Sequence, residues 1–165
     1  MGNACTKINE NVYFQARKKA AKYNDALWSR EGAADLLGIS VSTLADYELG
    51  ITKVVPVDKV VLMADLYNAP ELKNGYCKNE CPIGKSMAIA TKVGSLEGVA
   101  LRLLNVTDGD KLAEIKKLII SISCDGVIED SEKHDLGEVL KWLSNLEFSL
   151  SELKLIGEKI LGEKL

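Results

Sequence analysis

Apolar residues recur every three or four positions along most of the chain, which is the spacing that places side chains on one face of an α-helix. In the first half this spacing predicts five helices, at about residues 12–23, 30–37, 41–49, 57–67 and 71–77. Ser29 and Ser40 precede the second and third helices, where a serine hydroxyl can accept an early backbone N–H. Gly38 and Gly50 follow these two helices, where glycine adopts a left-handed backbone at little cost. The pattern therefore predicts two short helices joined by a tight turn.

The second half repeats the same periodicity over longer segments. It predicts three helices, at about residues 85–104, 108–124 and from 131 towards the end. In the last helix the large apolar residues with this spacing are Leu136, Val139, Leu143, Leu146, Leu150 and Leu153. Such a stripe is typical of a coiled-coil seam, and it also fits the buried face of an intramolecular bundle. Because a helix of about thirty residues extends roughly 45 Å, longer than a small domain needs, we expect a homodimer centred near Leu143 and Leu146.

These helices indicate an all-α fold in two parts. We expect a flexible N-terminus at residues 1–10, a first helical domain at 11–76, a linker at 77–84 and a second helical domain at 85–165. The second domain has no DNA-binding signature. Its long last helix favours a role in oligomerisation or in sensing a protein partner.

The stretch GISVSTLADYELG, residues 38–50, has the arrangement of a helix-turn-helix. Ala34 is small where the second helix of the pair crosses close to the first, and Gly38 follows four residues later in the turn. The apolar residues that would lock the two helices together are Ile39, Leu44 and Tyr47. On these residues, positions 11–76 resemble the lambda-repressor-like, or Xre, family of helix-turn-helix transcription regulators. The alternative is an ordinary helical hairpin.

The resemblance implies a five-helix lambda-repressor-like domain that belongs to a dimeric regulator and binds a two-fold DNA operator. It also implies an internal ion pair between Arg17 on the first helix and Glu48 near the end of the third. The family often has a glutamine that contacts a phosphate where this chain has Arg30. A guanidinium group can bind a phosphate at least as well.

The third helix is the element that would read DNA, because the N-terminal residues of the second helix of the motif meet base edges. In this chain those residues are Val41, Ser42, Thr43, Ala45 and Asp46. Hydroxyl groups can bond several base edges, and the methyl groups of Val and Thr can contact a thymine methyl. Lys53 follows the helix and joins Arg30 as an expected phosphate contact.

The charge of the chain argues mildly against a nucleic-acid binder. The formal net charge is -3, whereas compact nucleic-acid-binding domains are usually basic. Residues 1–76 balance nine basic with nine acidic side chains, and the helix at 41–49 has no Lys or Arg. We therefore expect few phosphate contacts. The alternative function is a protein-interaction module that keeps the helix-turn-helix fold as a docking surface without specific DNA binding.

Motifs of other functional classes are incomplete. The chain has one histidine and no nucleophile elbow or phosphate loop, so we expect neither an enzyme nor a cofactor. Cys77 and Cys81 supply half of a zinc site, and the loop at 121–132 lacks the first ligands of a calcium loop, so we expect no metal. Residues 1–6 match a short lipidation pattern, but no apolar run is long enough to cross a bilayer. We expect a cytoplasmic protein that is not associated with a membrane.

Overall fold

The computed structural model describes residues 10–123 and 127–162. In these residues the chain forms α-helices and two short 3-10 helices, at Asp25–Trp28 and Gly84–Ser86, without a strand. The α-helices are α1 (Val12–Ala20), α2 (Arg30–Leu37), α3 (Val41–Leu49), α4 (Val57–Leu66), α5 (Glu71–Asn79), α6 (Leu96–Val106), α7 (Gly109–Ile122) and α8 (Lys133–Leu161). The predicted all-α fold, with three helices and a long last one in the second half, is confirmed.

Two sequence predictions fall on positions that lie outside the described residues. The lipidation pattern at residues 1–6 is one, together with nearly all of the N-terminal segment at 1–10. The Asp125–Gly126 turn of the incomplete calcium loop is the other.

α2 and α3 form the helix-turn-helix, and both have the predicted bounds. Ser29 and Ser40 cap these helices, since each hydroxyl accepts the backbone N–H three residues later at 3.0 Å. Gly38 ends α2 with a φ of 62°, and Gly50 ends α3 with a φ of 68°. Both angles lie in the left-handed region that glycine adopts without steric cost. Local cap chemistry therefore accounts for both helices and for the turn between them.

The elements on either side of the helix-turn-helix begin or end at other residues than predicted. α1 ends at Ala20, and residues 25–28, expected as a loop, form a 3-10 helix. The side chain of Asn24 caps that short helix by accepting a backbone N–H two residues later at 3.2 Å. α5 continues to Asn79, so the segment predicted as a linker at 77–84 begins inside a helix.

The predicted helix at 85–104 is wrong over its first half, because α6 begins only at Leu96. Ser95 caps α6 by accepting the backbone N–H three residues later at 3.2 Å. Further upstream, the backbone N–H of Ala90 donates to the hydroxyl of Ser151 on α8 at 3.0 Å. The carbonyl of Ala90 accepts from the side chain of Asn74 at 2.8 Å, so both backbone polar groups of Ala90 are satisfied without helix formation.

The first five helices share one hydrophobic core. Its buried members are Ala16, Ala21, Leu27, Ala33, Ala34, Leu37, Leu44, Tyr47, Val55, Val60, Met63, Ala64, Tyr67, Ala69 and Leu72. Leu44 of α3 and Met63 of α4 have no exposed surface. Full burial of a large apolar side chain contributes about 1.5–3 kcal/mol, so this core holds the two helices of the motif in a fixed orientation.

The second half packs around α8, which contacts both α6 and α7. The buried apolar side chains of the second half are Ala90, Val99, Ile115, Ile122, Val139, Leu155 and Ile156. The C-terminal end of α8 also reaches the first half of the chain. Lys159 forms an ion pair with Glu71 of α5 at 2.8 Å, and its carbonyl accepts a hydrogen bond from the Asn68 side chain at 3.3 Å. The last helix therefore joins the two halves.

Candidate nucleic-acid interface

One face of α3 is buried and the opposite face is open. Leu44, Tyr47 and Glu48 belong to the buried face. The other face holds the five predicted base-contact residues Val41, Ser42, Thr43, Ala45 and Asp46. The first two of these are exposed and the other three are half-buried. The first turn of α3 is therefore the part that a large partner can approach most closely.

Three hydroxyl groups meet at the start of α3. The Oγ of Ser40 lies 2.8 Å from the Oγ of Ser42 and 2.7 Å from the Oγ1 of Thr43. A hydroxyl has one donor hydrogen and two acceptor lone pairs, so the groups of Ser42 and Thr43 keep capacity for a further partner. The helix N-terminus adds a partial positive charge at the same place. The site can therefore bond polar groups although it contains no cationic side chain.

A buried ion pair fixes α3 on its other side. Arg17 of α1 donates to Glu48 twice, from Nε to Oε1 at 2.5 Å and from Nη2 to Oε2 at 2.9 Å. Both side chains are buried, with 2% and 0% of their surface exposed. The Nη1 group of Arg17 also donates to the carbonyl of Leu27 in the first 3-10 helix at 2.8 Å. The structure thus brings together the pair that the family resemblance implies, and adds a tie to the segment before α2.

Arg30, expected on a phosphate, is partly engaged inside the protein. Its Nε donates to the Oε2 of Glu48 at 2.7 Å, and its side chain is 29% exposed. Among the described residues Glu48 is its only hydrogen-bond partner, so its terminal nitrogens remain available. No sequence pattern indicated this bond, because it depends on the approach of α2 to the buried end of α3.

The lysine side chains near the helix-turn-helix differ in whether they bond to the protein. Lys53, the second expected phosphate contact, is exposed and forms no ion pair with the described part of the chain. Lys18 is held in place, since its Nζ donates to the carbonyl of Trp28 at 2.9 Å and lies 5.1 Å from the centre of that indole ring. Lys19 and Lys22 are exposed. Few lysine side chains near the helix-turn-helix are therefore exposed and unpaired among the described residues.

Trp28 is a candidate contact that the sequence interpretation overlooked. It lies directly before the cap of α2 and is 51% exposed. An indole is apolar over most of its surface and has one N–H donor, which suits it to contacts at wet interfaces. Its place in a segment predicted as a loop could have indicated it, because connecting segments run over the protein surface.

The predicted dimer stripe of α8 is exposed at some positions and buried at others. Four of its members are buried or half-buried, namely Leu136, Val139, Leu146 and Leu153. Leu143 and Leu150 are each 43% exposed, and the neighbouring Leu140 is 53% exposed. We call Leu140, Leu143 and Leu150 the outer row. Leu143 and Leu150 lie within about 40° of Val139 around the helix axis, so the outer row borders the buried residues of α8.

The comparisons with known proteins agree with this geometry. Residues 15–73 match the family model described as a helix-turn-helix domain. The match begins inside α1 and ends inside α5, so it includes the whole turn and the core around it. No curated protein and no solved structure matches the chain. The first half of the chain therefore contains a helix-turn-helix domain.

Among the described helices, none combines the length and the apolar character that a bilayer crossing requires.

Proposed function

We propose that the protein is a lambda-repressor-like, or Xre-class, transcription regulator that binds double-stranded DNA sequence-specifically as a homodimer. The observation that carries this proposal is the exposed first turn of α3, held beside a capped glycine turn within a helix-turn-helix domain. The second half of the chain serves dimerisation or the binding of a protein partner. The protein acts in the cytoplasm and is not an enzyme.

Base recognition depends on short side chains. Ser42 and Thr43 bond base edges through their hydroxyl groups, and Val41 and Ala45 contact thymine methyl groups. Asp46 accepts a hydrogen bond from the amino group of a cytosine. Their small size favours this arrangement, because it lets the backbone of α3 lie deep in the major groove.

Phosphate recognition depends on Arg30 and Lys53. The Nε of Arg30 donates to Glu48, and this bond orients the guanidinium. The terminal nitrogens of Arg30 are left to bond a phosphate. Lys53 adds a mobile positive charge after α3. Two phosphates per protomer correspond to a slope of about -4 in the logarithm of the binding constant against the logarithm of salt concentration for a dimer.

The homodimer uses the outer row. Half-exposed leucines at intervals of three and seven residues offer a surface that an identical helix can match. The dimer presents two copies of α3 to the duplex. Binding to a palindromic site requires a separation of roughly 34–36 Å between them.

Selection of bound fragments from a random duplex pool tests the proposal directly. We expect enrichment of a two-fold symmetric site at low salt. Replacing Ser42 and Thr43 together by Ala should relax the preference at one or two base pairs, each worth about 1–3 kcal/mol. The matched control is Ser144→Ala, which removes a hydroxyl that bonds only within α8. Lys53→Ala should weaken binding to all sequences alike and flatten the salt slope.

A second function is favoured by exposed apolar residues at the end of α3 and just after it. Each is more than a third exposed, and they are Leu49, Ile51, Val54, Val57 and Val61. Exposed apolar residues that cluster often mark protein-binding surfaces. The alternative is therefore a protein-interaction module that uses the helix-turn-helix fold for docking.

The two functions predict different results in the same selection. If no motif is enriched at low salt, and if Ile51→Asp with Val54→Asp abolishes capture of a protein partner, the docking function replaces DNA reading. An enriched motif that depends on Ser42 and Thr43 excludes the docking function as the main role of α3.

A further inference from the structure

A cavity of about 820 Å³ lies behind α3, where the first half of the chain meets the end of α8. Its walls come from α1, from the segment after α3, from α5 and from residues 91–93, with Lys159 of α8 at one side. This volume lies within the range of roughly 300–1,000 Å³ that is usual for small-molecule sites. The cavity is therefore large enough for an organic ligand and touches both halves of the chain.

Part of the cavity lining is apolar and aromatic. Tyr13 of α1 and Tyr76 of α5 line it together with Leu72 and Val55. Burial raises the pKa of Tyr13 to about 12, with smaller contributions from Glu80 and Tyr76. The Tyr13 hydroxyl therefore keeps its proton near neutral pH and can donate a hydrogen bond to a ligand.

The lysines that line the cavity outnumber the carboxylates. Glu71 is neutralised by Lys159, whose Nζ lies 2.8 Å from its Oε1. Lys19, Lys53 and Lys92 form no ion pair within the described residues, and the second carboxylate of the lining is Glu80. The lining thus combines aromatic surface with surplus positive charge.

Gly75 of α5 keeps one wall of the cavity open. A Cβ at this position would meet no atom within 4 Å, so close packing does not require the glycine. Glycine inside a helix costs about 0.5–1 kcal/mol relative to alanine. A side chain here would occupy part of the cavity, and this gives a direct way to fill it.

We propose that this cavity binds a small amphipathic organic anion, an aromatic ring that carries a carboxylate or a comparable acidic group. The ring lies between Tyr13 and Tyr76, and the acidic group is bound by Lys19 and Lys53. Since Lys53 is also the proposed phosphate contact, the ligand competes with the DNA backbone for the same ammonium group. This last consequence rests on the proposed DNA-binding function, whereas ligand binding itself does not.

Titration calorimetry of the full chain without DNA tests the site, with 2-naphthoate as the probe. The comparison ligand is 2-naphthylmethylammonium, which has the same ring and the opposite charge. We expect 2-naphthoate to bind once per chain and at least about tenfold more tightly than the cation. Absence of saturable 2-naphthoate binding, or equal affinity for the two probes, would overturn the proposal.

Two sets of variants locate the site. Gly75→Phe should abolish 2-naphthoate binding by filling the cavity, whereas Gly137→Phe adds the same side chain at an open position of α8 and should leave binding unchanged. Lys19→Gln with Lys53→Gln should weaken binding by about tenfold or more. Lys116→Gln with Lys117→Gln changes the net charge equally and should have no effect. Binding that survives both cavity variants would also overturn the proposal.

A final measurement separates this proposal from the proposed function. Fluorescence anisotropy of a labelled duplex should report weaker DNA binding when 2-naphthoate is added to the wild-type chain. A chain that binds 2-naphthoate in calorimetry but binds no duplex would support the cavity and contradict DNA reading. A chain that binds its selected duplex but not 2-naphthoate would support DNA reading and contradict the cavity proposal.

Discussion

Glu48 is fully buried and accepts hydrogen bonds from two arginines, so its charge is compensated inside the first domain. Glu48→Gln keeps the shape of the side chain but leaves the buried guanidinium of Arg17 without its counter-ion. Removing one partner of a buried pair costs about 3–5 kcal/mol. We expect Glu48→Gln to lower the free energy of unfolding by about 3 kcal/mol or more, measured by urea unfolding followed with circular dichroism.

Glu114 provides the matched control, because it pairs with Lys111 on the exposed surface of α7. Glu114→Gln should change the free energy of unfolding by less than about 1 kcal/mol, as is usual for exposed ion pairs. If the two variants lost equally little stability, the Arg17–Glu48 pair would not be what fixes α3 against α1.

Tyr67 is buried, and its hydroxyl has no hydrogen-bond partner among the described residues. Burial raises its pKa above the ordinary value of 10.0, Glu48 raises it further, and Arg17 lowers it. A raised pKa in the folded state means that the stabilising contribution is present below pH 10 and is lost as the pH rises through the folded-state value. We expect Tyr67→Phe to be at least as stable as the wild type at neutral pH, and to lose less stability above pH 10.

Alkaline urea titrations measure this difference. Tyr23→Phe is the control, because Tyr23 is 92% exposed and its hydroxyl is already in water. A Tyr67→Phe variant that loses about 2 kcal/mol at neutral pH would instead indicate that the buried hydroxyl is bonded in solution.

Among the helices, the predicted bounds match the structure where clear capping residues stand at both ends. α2 and α3 could be predicted to the residue, because a serine precedes each helix and a left-handed glycine ends it. The helix predicted at 85–104 failed, because apolar periodicity alone does not separate a helix from a segment bonded to another element. Ser95 was the missed signal, since it caps α6 in the same way that Ser40 caps α3.

Gly38 tests the turn of the helix-turn-helix. Its φ of 62° is left-handed, and an added Cβ would meet no atom within 4 Å, so a substitution is penalised by the backbone alone. Gly38→Ala should therefore lower the free energy of unfolding by about 1–2 kcal/mol. Gly38→Val should lower it further, because β-branched residues tolerate this region least.

Thermal and urea unfolding measure both variants. Gly38→Asn is the internal comparison, because asparagine enters the left-handed region more readily and should lose less stability than alanine. Gly137→Ala in α8 should instead stabilise the protein by about 0.5–1 kcal/mol. If Asn and Ala were equally harmful at position 38, the cost would not arise from the backbone angle.

At the scale of the whole molecule, the sequence could not predict how the two halves meet. The contact of Asn68 with Lys159 joins residues that are far apart in the chain, and neither has a local pattern that indicates the other. The same reason hid the bond between Arg30 and Glu48, which depends on how α2 packs against α3. The motif was enough to name the candidate base-contact residues on α3. Only the tertiary structure shows that Arg30, near them, is bonded to Glu48.

The outer row on α8 leaves three leucines of the last helix exposed to water. Leu140, Leu143 and Leu150 are each more than 40% exposed, on a helix whose buried large apolar residues are Val139, Leu155 and Ile156. Full burial of such a side chain contributes about 1.5–3 kcal/mol, and two-fold association applies this gain to both copies.

We therefore expect light scattering to give twice the 18.0 kDa chain mass at tens of micromolar. Leu143→Asp with Leu150→Asp should halve this mass and leave the helical circular dichroism signal intact, because both side chains are already partly in water. The control is Leu101→Asp with Leu104→Asp, at leucines that are 68% and 67% exposed on α6, and it should remain dimeric. A monomeric wild type would show that no self-association covers the outer row. A control variant that becomes monomeric would instead transfer the dimer interface to α6.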